Sequence, residues 1–247
     1  ATHRAAHLHV SAIDVVVDIR DAQDTTNPTY PVTSTLTLTS DEERTFIDIA
    51  GEVGEVLLNG EPHAFDDDED RVWVGGLPVG ETITLEVRAL ARYSRSGEGL
   101  HRYTDPEDGE VYLYTQFEPN DAHRAWPCVD QPDVKPEWTF HVIAPAGWVV
   151  SSNGVESTAE VVDDSGAVRH DFTATRPLSS YITAIVAGPW AVIDGGTWSG
   201  GASDGGHAEL ALRLLCRRTL ARYLDSDDVF EVTRAGLDFF HERYGVT

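Results

Sequence analysis

Residues Tyr112–Asn153 read YLYTQFEPNDAHRAWPCVDQPDVKPEWTFHVIAPAGWVVSSN, and the order of residue types along them decides the fold. Thr115-Gln116-Phe117-Glu118 closes a predicted strand. Residues two apart in a strand project to the same face, so Gln116 and Glu118 point together. Asp121-Ala122-His123-Arg124 follows as a carboxylate-bearing turn. Pro127-Cys128-Val129-Asp130-Gln131-Pro132-Asp133 is then a loop punctuated by prolines, which fix φ and withhold a backbone donor. A second strand is predicted from Trp138 to Ile143.

The same alternation extends upstream. Ile13, Val15, Val17 and Ile19 alternate with Asp14, Val16, Asp18 and Arg20, the period-two pattern of a strand with one apolar face. Thr33, Thr35, Thr37 and Thr39 oppose Ser34, Leu36 and Leu38, and Ile83, Leu85, Val87, Ala89 and Ala91 repeat the pattern. Val56-Leu57-Leu58 runs into Asn59-Gly60, a hairpin signal because both residues tolerate positive φ. Short strands at this spacing predict a mainly β fold, a saddle-like β-sandwich, over residues 1–188. The character changes at Gly188-Pro189. Gly195–Gly206 reads as an exposed loop or hairpin tip, His207–Cys216 as an apolar strand, and Ser226–Tyr244 as a helix. Ser226 is its expected N-cap and Gly245 its C-cap, with Asp227 and Asp228 complementing the dipole. Val229, Thr233, Leu237, Phe240 and Tyr244 form a stripe at helical spacing, expected as core packing. Residues 189–247 are therefore expected to be a short α+β segment of their own.

Composition narrows the function classes. The chain has 247 residues, 18 basic against 42 acidic, for a formal charge of −24. Such a balance opposes nucleic-acid binding, which needs a basic footprint, and attraction to anionic lipid. Lys135 is the only lysine. Cys128 and Cys216 stand far apart and read as free thiols in a reducing compartment, not as a disulfide framework. No stretch approaches the roughly 20 apolar residues of a membrane span, and the N-terminus lacks a signal-peptide core. These features predict a soluble, cytoplasmic protein.

Taken together, the Thr115–Asp133 pattern, Ser96-Gly97-Glu98-Gly99-Leu100-His101-Arg102 and Leu178-Ser179-Ser180-Tyr181-Ile182-Thr183-Ala184 resemble the aminopeptidase N family of zinc exopeptidases. The likeness is to the β-rich domain that precedes their catalytic domain, and it covers most of the chain. It implies a parent enzyme that uses zinc to remove N-terminal residues from peptides. The partners it implies are a peptide with a free amino end and the remainder of the catalytic domain, whose opening residues 189–247 resemble. It further implies that Glu118 helps fix the substrate's α-amine, while Gln116 matches a position lining the first side-chain pocket. The chemistry is sensible: that amine, with an ordinary pKa near about 7.7–8.0, is largely cationic at neutral pH and needs carboxylates at the blind end of a site. The departure at Gln131, where relatives commonly carry Glu, weakens a charge role there. The family's H-E-x-x-H and Gly-x-Met-Glu-Asn motifs are absent. The chain has no Met, and His241-Glu242 is followed by no second histidine one turn on. The chain thus reads as the front portion of such an enzyme, with no catalytic residue and no metal of its own.

Other readings of single features are plainer. Asp121, Arg124, Asp130 and Asp133 are expected to lock the loop through Arg–carboxylate pairs and turn caps. His7 and His9, one strand period apart, lack an evident third metal ligand. Asp66–Asp70 is expected as a charged loop without the alternating ligands and glycine of a calcium site. Two competing functions remain open: a non-catalytic peptide- or protein-interaction module on the same fold, and a carbohydrate-binding sandwich suggested by six tryptophans.

Overall fold

A computed structural model describes residues 2–201 and 207–244. A short helix α1 (Thr2–His7) leads into β1 (Leu8–Asp18), β2 (Thr29–Ser40), β3 (Arg44–Asp48), β4 (Gly51–Leu58), β5 (Glu61–Pro62), β6 (Phe65–Asp68), β7 (Arg71–Gly75) and β8 (Thr82–Arg92). There follow β9 (Gly99–Thr104), β10 (Val111–Gln116), β11 (Glu137–Ala144), β12 (Val149–Ser152), β13 (Glu156–Val161), β14 (Val168–Phe172) and β15 (Ile185–Gly188). The last elements are β16 (Ala191–Gly201), β17 (His207–Cys216) and α2 (Ser226–Tyr244). The chain divides into two compact units, Ala1–Gly188 and Pro189–Thr247.

In the first unit an eight-stranded sheet runs in the order β13-β14-β11-β1-β2-β8-β4-β5, beside a four-stranded sheet β12-β15-β10-β9 and a three-stranded sheet β3-β7-β6. The architecture is mainly β, as the alternation predicts. Ile13, Val15 and Val17 face inward with Leu36 and Leu38 of β2 and Leu85 and Val87 of β8, all nearly inaccessible. Apart from Val16, their intervening residues are Thr, Asp, Glu and Arg, which keep the other face wet. One apolar cluster joins these to Leu100 and Leu113 of the four-stranded sheet and to Ile47, Val72 and Val74 of the three-stranded one. The central β1–β11 pairing is parallel, Ile13 opposite Trp138 and Val15 opposite Phe140. It therefore requires a long crossover, and the loop after β10 is its last part. Trp126 of that loop is fully buried between Phe117 and Phe140, at ring-centroid distances of 4.9 and 5.2 Å. Losing such an indole costs about 3–5 kcal/mol.

The second unit is the hairpin β16–β17 with α2 laid on it. Three expectations change here. Gly195–Gly201 belongs to β16, with a register shift between Asp194 and Thr197, while residues 202–206 lie outside the described residues. Glycine is needed at 195 for close approach: a Cβ there would overlap the Phe230 ring. The cap of α2 is Asp225, whose side chain accepts the Asp228 amide at 3.2 Å; Gly245 lies outside the described residues. The covered face of α2 is not the apolar stripe. Phe230 is buried, Asp238 accepts the Trp198 indole N–H at 2.8 Å, and His241 packs on Trp198. Phe240 and Tyr244 are 57% and 67% exposed. Asp66–Asp68 is likewise no loop but the strand β6, paired with β7, and only Glu69-Asp70 make the turn. No described helix is long and apolar enough to cross a membrane.

Candidate functional site

Strand β10 ends at Gln116, opposite Gly99 of β9. Glu118 therefore sits in the turn beyond the strand and not within it. The exposure pattern continues across the strand end all the same: Gln116 and Glu118 are exposed, and Phe117 between them is buried. Phe117 is the anchor, since its ring packs on Trp126 and its carbonyl accepts the Asp121 amide at 2.8 Å. Among the described residues neither the Gln116 amide nor the Glu118 carboxylate has a hydrogen-bond or ion-pair partner. A carboxylate on a fixed turn, uncompensated by the chain itself, is open to a cation from outside.

Of the neighbours of these two residues, the sequence reading names Gly99, His101 and Arg124 within its motifs but not Tyr114. Tyr114, two residues before Gln116, stacks obliquely on His101 of β9 at 5.0 Å and is 39% exposed. Burial pushes the His101 imidazole down, favouring its neutral form. Gly99 adopts φ +67°, and a Cβ there would press on Arg124, so glycine lets the arginine lie over the strand end. Arg124 donates to Asp121 at 2.6 Å and lies 4.0 Å from Glu98. The arginine is thereby occupied. Sequence periodicity marks Tyr114 as a residue on the same face; the Gly99–Arg124 packing leaves no sequence signal.

Behind this edge the loop is locked as the spacing of its charges suggests. Asp130 accepts the His123 backbone and ring N–H groups at 3.1 and 2.8 Å and the Ser180 hydroxyl at 2.7 Å. Burial pushes the Asp130 carboxyl up, but the hydrogen bonds from His123 and Ser180 outweigh it and hold it low. Burial also opposes the charge on His123, yet Asp130 raises its pKa. Ser180 binds the carboxylate and not the imidazole, so the trio is a clamp and not a nucleophile with its base. The Asp130 amide in turn donates to Asp48, which also takes Arg4 at 2.7 Å and exchanges backbone hydrogen bonds with Cys128. Cys128 is buried with a strongly raised pKa, held by desolvation. Gln131 donates its amide to Asp133 at 2.8 Å, a bond that glutamate in its ionised form does not make. A polar cleft of about 410 Å³ opens beside the clamp among Asp48, Asp70, Arg71, His123 and Asp130; Gln116 and Glu118 do not line it.

His7 and His9 are not brought together: His7 ends α1 and His9 is an exposed strand residue. His241 and Glu242 lie on α2, where His241 rests on Trp198. They collect no further ligand among the described residues. Four of the six tryptophans are buried, and Trp73 and Trp190 are half-buried, which removes the exposed platform a sugar-binding reading needs.

The Peptidase M1 N-terminal domain model matches residues 58–182, half of the chain and the part holding β9, β10, the clamp and β11. Aminopeptidase N of Streptomyces lividans is 38% identical over 99% of this chain. Aminopeptidase N of Haemonchus contortus is 32% identical over 50% of it, and glutamyl aminopeptidase of Mus musculus 30% identical over 41%. The chain spans about a quarter or less of each of these relatives, 27%, 13% and 11% in turn. On the family match, and with the β architecture that carries it laid out above, this chain belongs to the M1 peptidase family, through the N-terminal β domain of that family.

Proposed function

We propose that this chain is the substrate-amine-anchoring N-terminal portion of a zinc-dependent aminopeptidase that removes N-terminal residues from peptides, and that it performs no hydrolysis alone. The observation that carries the reading is the free Glu118 carboxylate on a turn fixed by Phe117, exposed beside Gln116. A substrate ammonium paired there exchanges water for a charge-assisted hydrogen bond, a contact worth roughly 1.5–3 kcal/mol. Gln116 contributes a neutral amide beside it, suited to shaping the first side-chain pocket without competing for the cation. The locked loop fits the role, because an anchor positions substrate only as well as it is itself held. The apolar side of α2 through Phe239, Phe240 and Tyr244 fits an element that meets the remainder of a catalytic domain.

The test is Glu118→Ala in the full-length enzyme. It should raise KM and lower kcat/KM for aminoacyl anilides by about one to two decades. Kinetics within twofold of the parent would refute the anchor. The purified 1–247 chain alone should turn over no such substrate, and measurable turnover would refute the second half of the proposal.

A further inference from the structure

We propose that His3, His7 and Glu42 form a binding site for a divalent transition cation of the zinc class. His3 and His7 are four residues apart on α1, the spacing that stacks two side chains on one helical face. Their rings lie edge to face at 4.6 Å, and the His3 Nε2 is 3.2 Å from a Glu42 carboxylate oxygen. One ligand atom from each of the three lies within 4.8 Å of the others. A tetrahedral ion with bonds near 2.0–2.1 Å places its ligands about 3.4 Å apart. The His3–Glu42 pair already meets that spacing, and small rotations of exposed side chains bring in His7.

The surroundings favour the same conclusion. Glu42 is presented by a turn in which its amide donates to the Ser40 hydroxyl and that hydroxyl donates back to the Glu42 carbonyl. Two arginines share the cavity of about 390 Å³ that these residues line, and both are already compensated. Arg4 donates to Asp48 and to the Phe46 carbonyl while lying 3.9 Å from the Phe46 ring centroid. Arg44 pairs with Asp66 over Trp73. Two imidazoles and one carboxylate suit zinc or cobalt(II) and not calcium or magnesium, which take oxygen sets. Three protein ligands leave one position for water. The consequence is mechanical: a six-residue helix, marginal by itself, is tied to the β2–β3 turn by a metal bridge. The sequence reading pairs His7 with His9 and finds no third ligand. The partners that matter are distant in sequence or a helical turn away.

The experiment is titration of the 1–247 chain with Zn²⁺ against a chromophoric chelator, with Co²⁺ absorption as a coordination probe. The proposal expects one ion per chain. His3→Ala, His7→Ala and Glu42→Gln should each weaken binding by more than about tenfold, and His9→Ala should leave it unchanged. Saturating Zn²⁺ should raise the melting temperature of the parent chain and not of His7→Ala. All four side chains are on the surface, and an unaltered melting temperature in chelator checks that each variant folds. Absence of saturable uptake overturns the site. Uptake that survives His7→Ala, as binding through His3 alone would, or that ignores Glu42→Gln, overturns the three-ligand assignment.

Discussion

His141 shows how much a single side chain can report on this fold. On β11 it sits between two carboxylates: its Nε2 is 3.0 Å from Asp14, and its Nδ1 bonds Asp171, which Arg169 also reaches at 2.7 Å. The hydrogen bond to Asp14, with that to Asp171, raises its pKa against the pull of burial. Burial pushes Asp171 up, but bonds from His141, Arg169 and Thr158 bring it down to about 2. A group whose pKa is raised on folding stabilises fully below its unfolded value, near 6.5 for histidine, and the gain is lost as pH rises through the folded value. Asp171 acts in the opposite sense, contributing above about 4 and losing that contribution as pH falls toward its folded value. The melting temperature should therefore decline between pH ~6 and pH ~8.5, and His141→Gln should flatten part of that decline. Differential scanning calorimetry at the two pH values checks it, and an unchanged slope in the variant would show that His141 is already neutral. His123, also raised by a carboxylate, adds to the slope that remains, and His101, lowered by burial, acts in the opposite sense.

At the scale of elements, period-two alternation was enough to read β1, β2, β8 and β11, because each has one dry and one wet face. The spacing of Asp121, Arg124, Asp130 and Asp133 was likewise enough to expect a locked loop. What alternation could not carry is long-range pairing: β1 with β11, or Ser180 with Asp130 across fifty positions. Composition misled at Gly195–Gly201, where residues that read as a loop are strand residues and Gly195 makes room for Phe230. In α2 the stripe was located correctly, but its environment was not. Charged and polar side chains, Arg234, Asp238 and His241, face the hairpin, and the aromatic side is left open. An uncovered Phe or Tyr forgoes roughly 1.5–3 kcal/mol of burial, so the second unit is expected to be the weaker of the two on its own. Removing residues 189–247 should leave residues 1–188 folded with little loss of melting temperature. Collapse of folding on truncation would show that the first unit does not stand alone.

For the whole molecule, the formal charge of −24 and the free Glu118 would act in the same direction under the proposed function, since an acidic surface attracts a cationic amino end. Sequence resemblance proposes Gln116 and Glu118 as substrate-binding residues; the fold adds that the intervening Phe117 is buried, that Arg124 pairs with Asp121, and that the carboxylate has no partner among the described residues. The most direct measurement is competitive inhibition of the full-length aminopeptidase by an amino-acid-derived inhibitor and by its counterpart lacking the amine, in the parent and in Glu118→Gln. This cycle isolates amine recognition from any general loss of activity. If Glu118 anchors the amine, the parent's preference for the amine-bearing inhibitor falls by about one to two decades in the variant, with the amine-free inhibitor unaffected. A preference preserved within twofold would contradict the account.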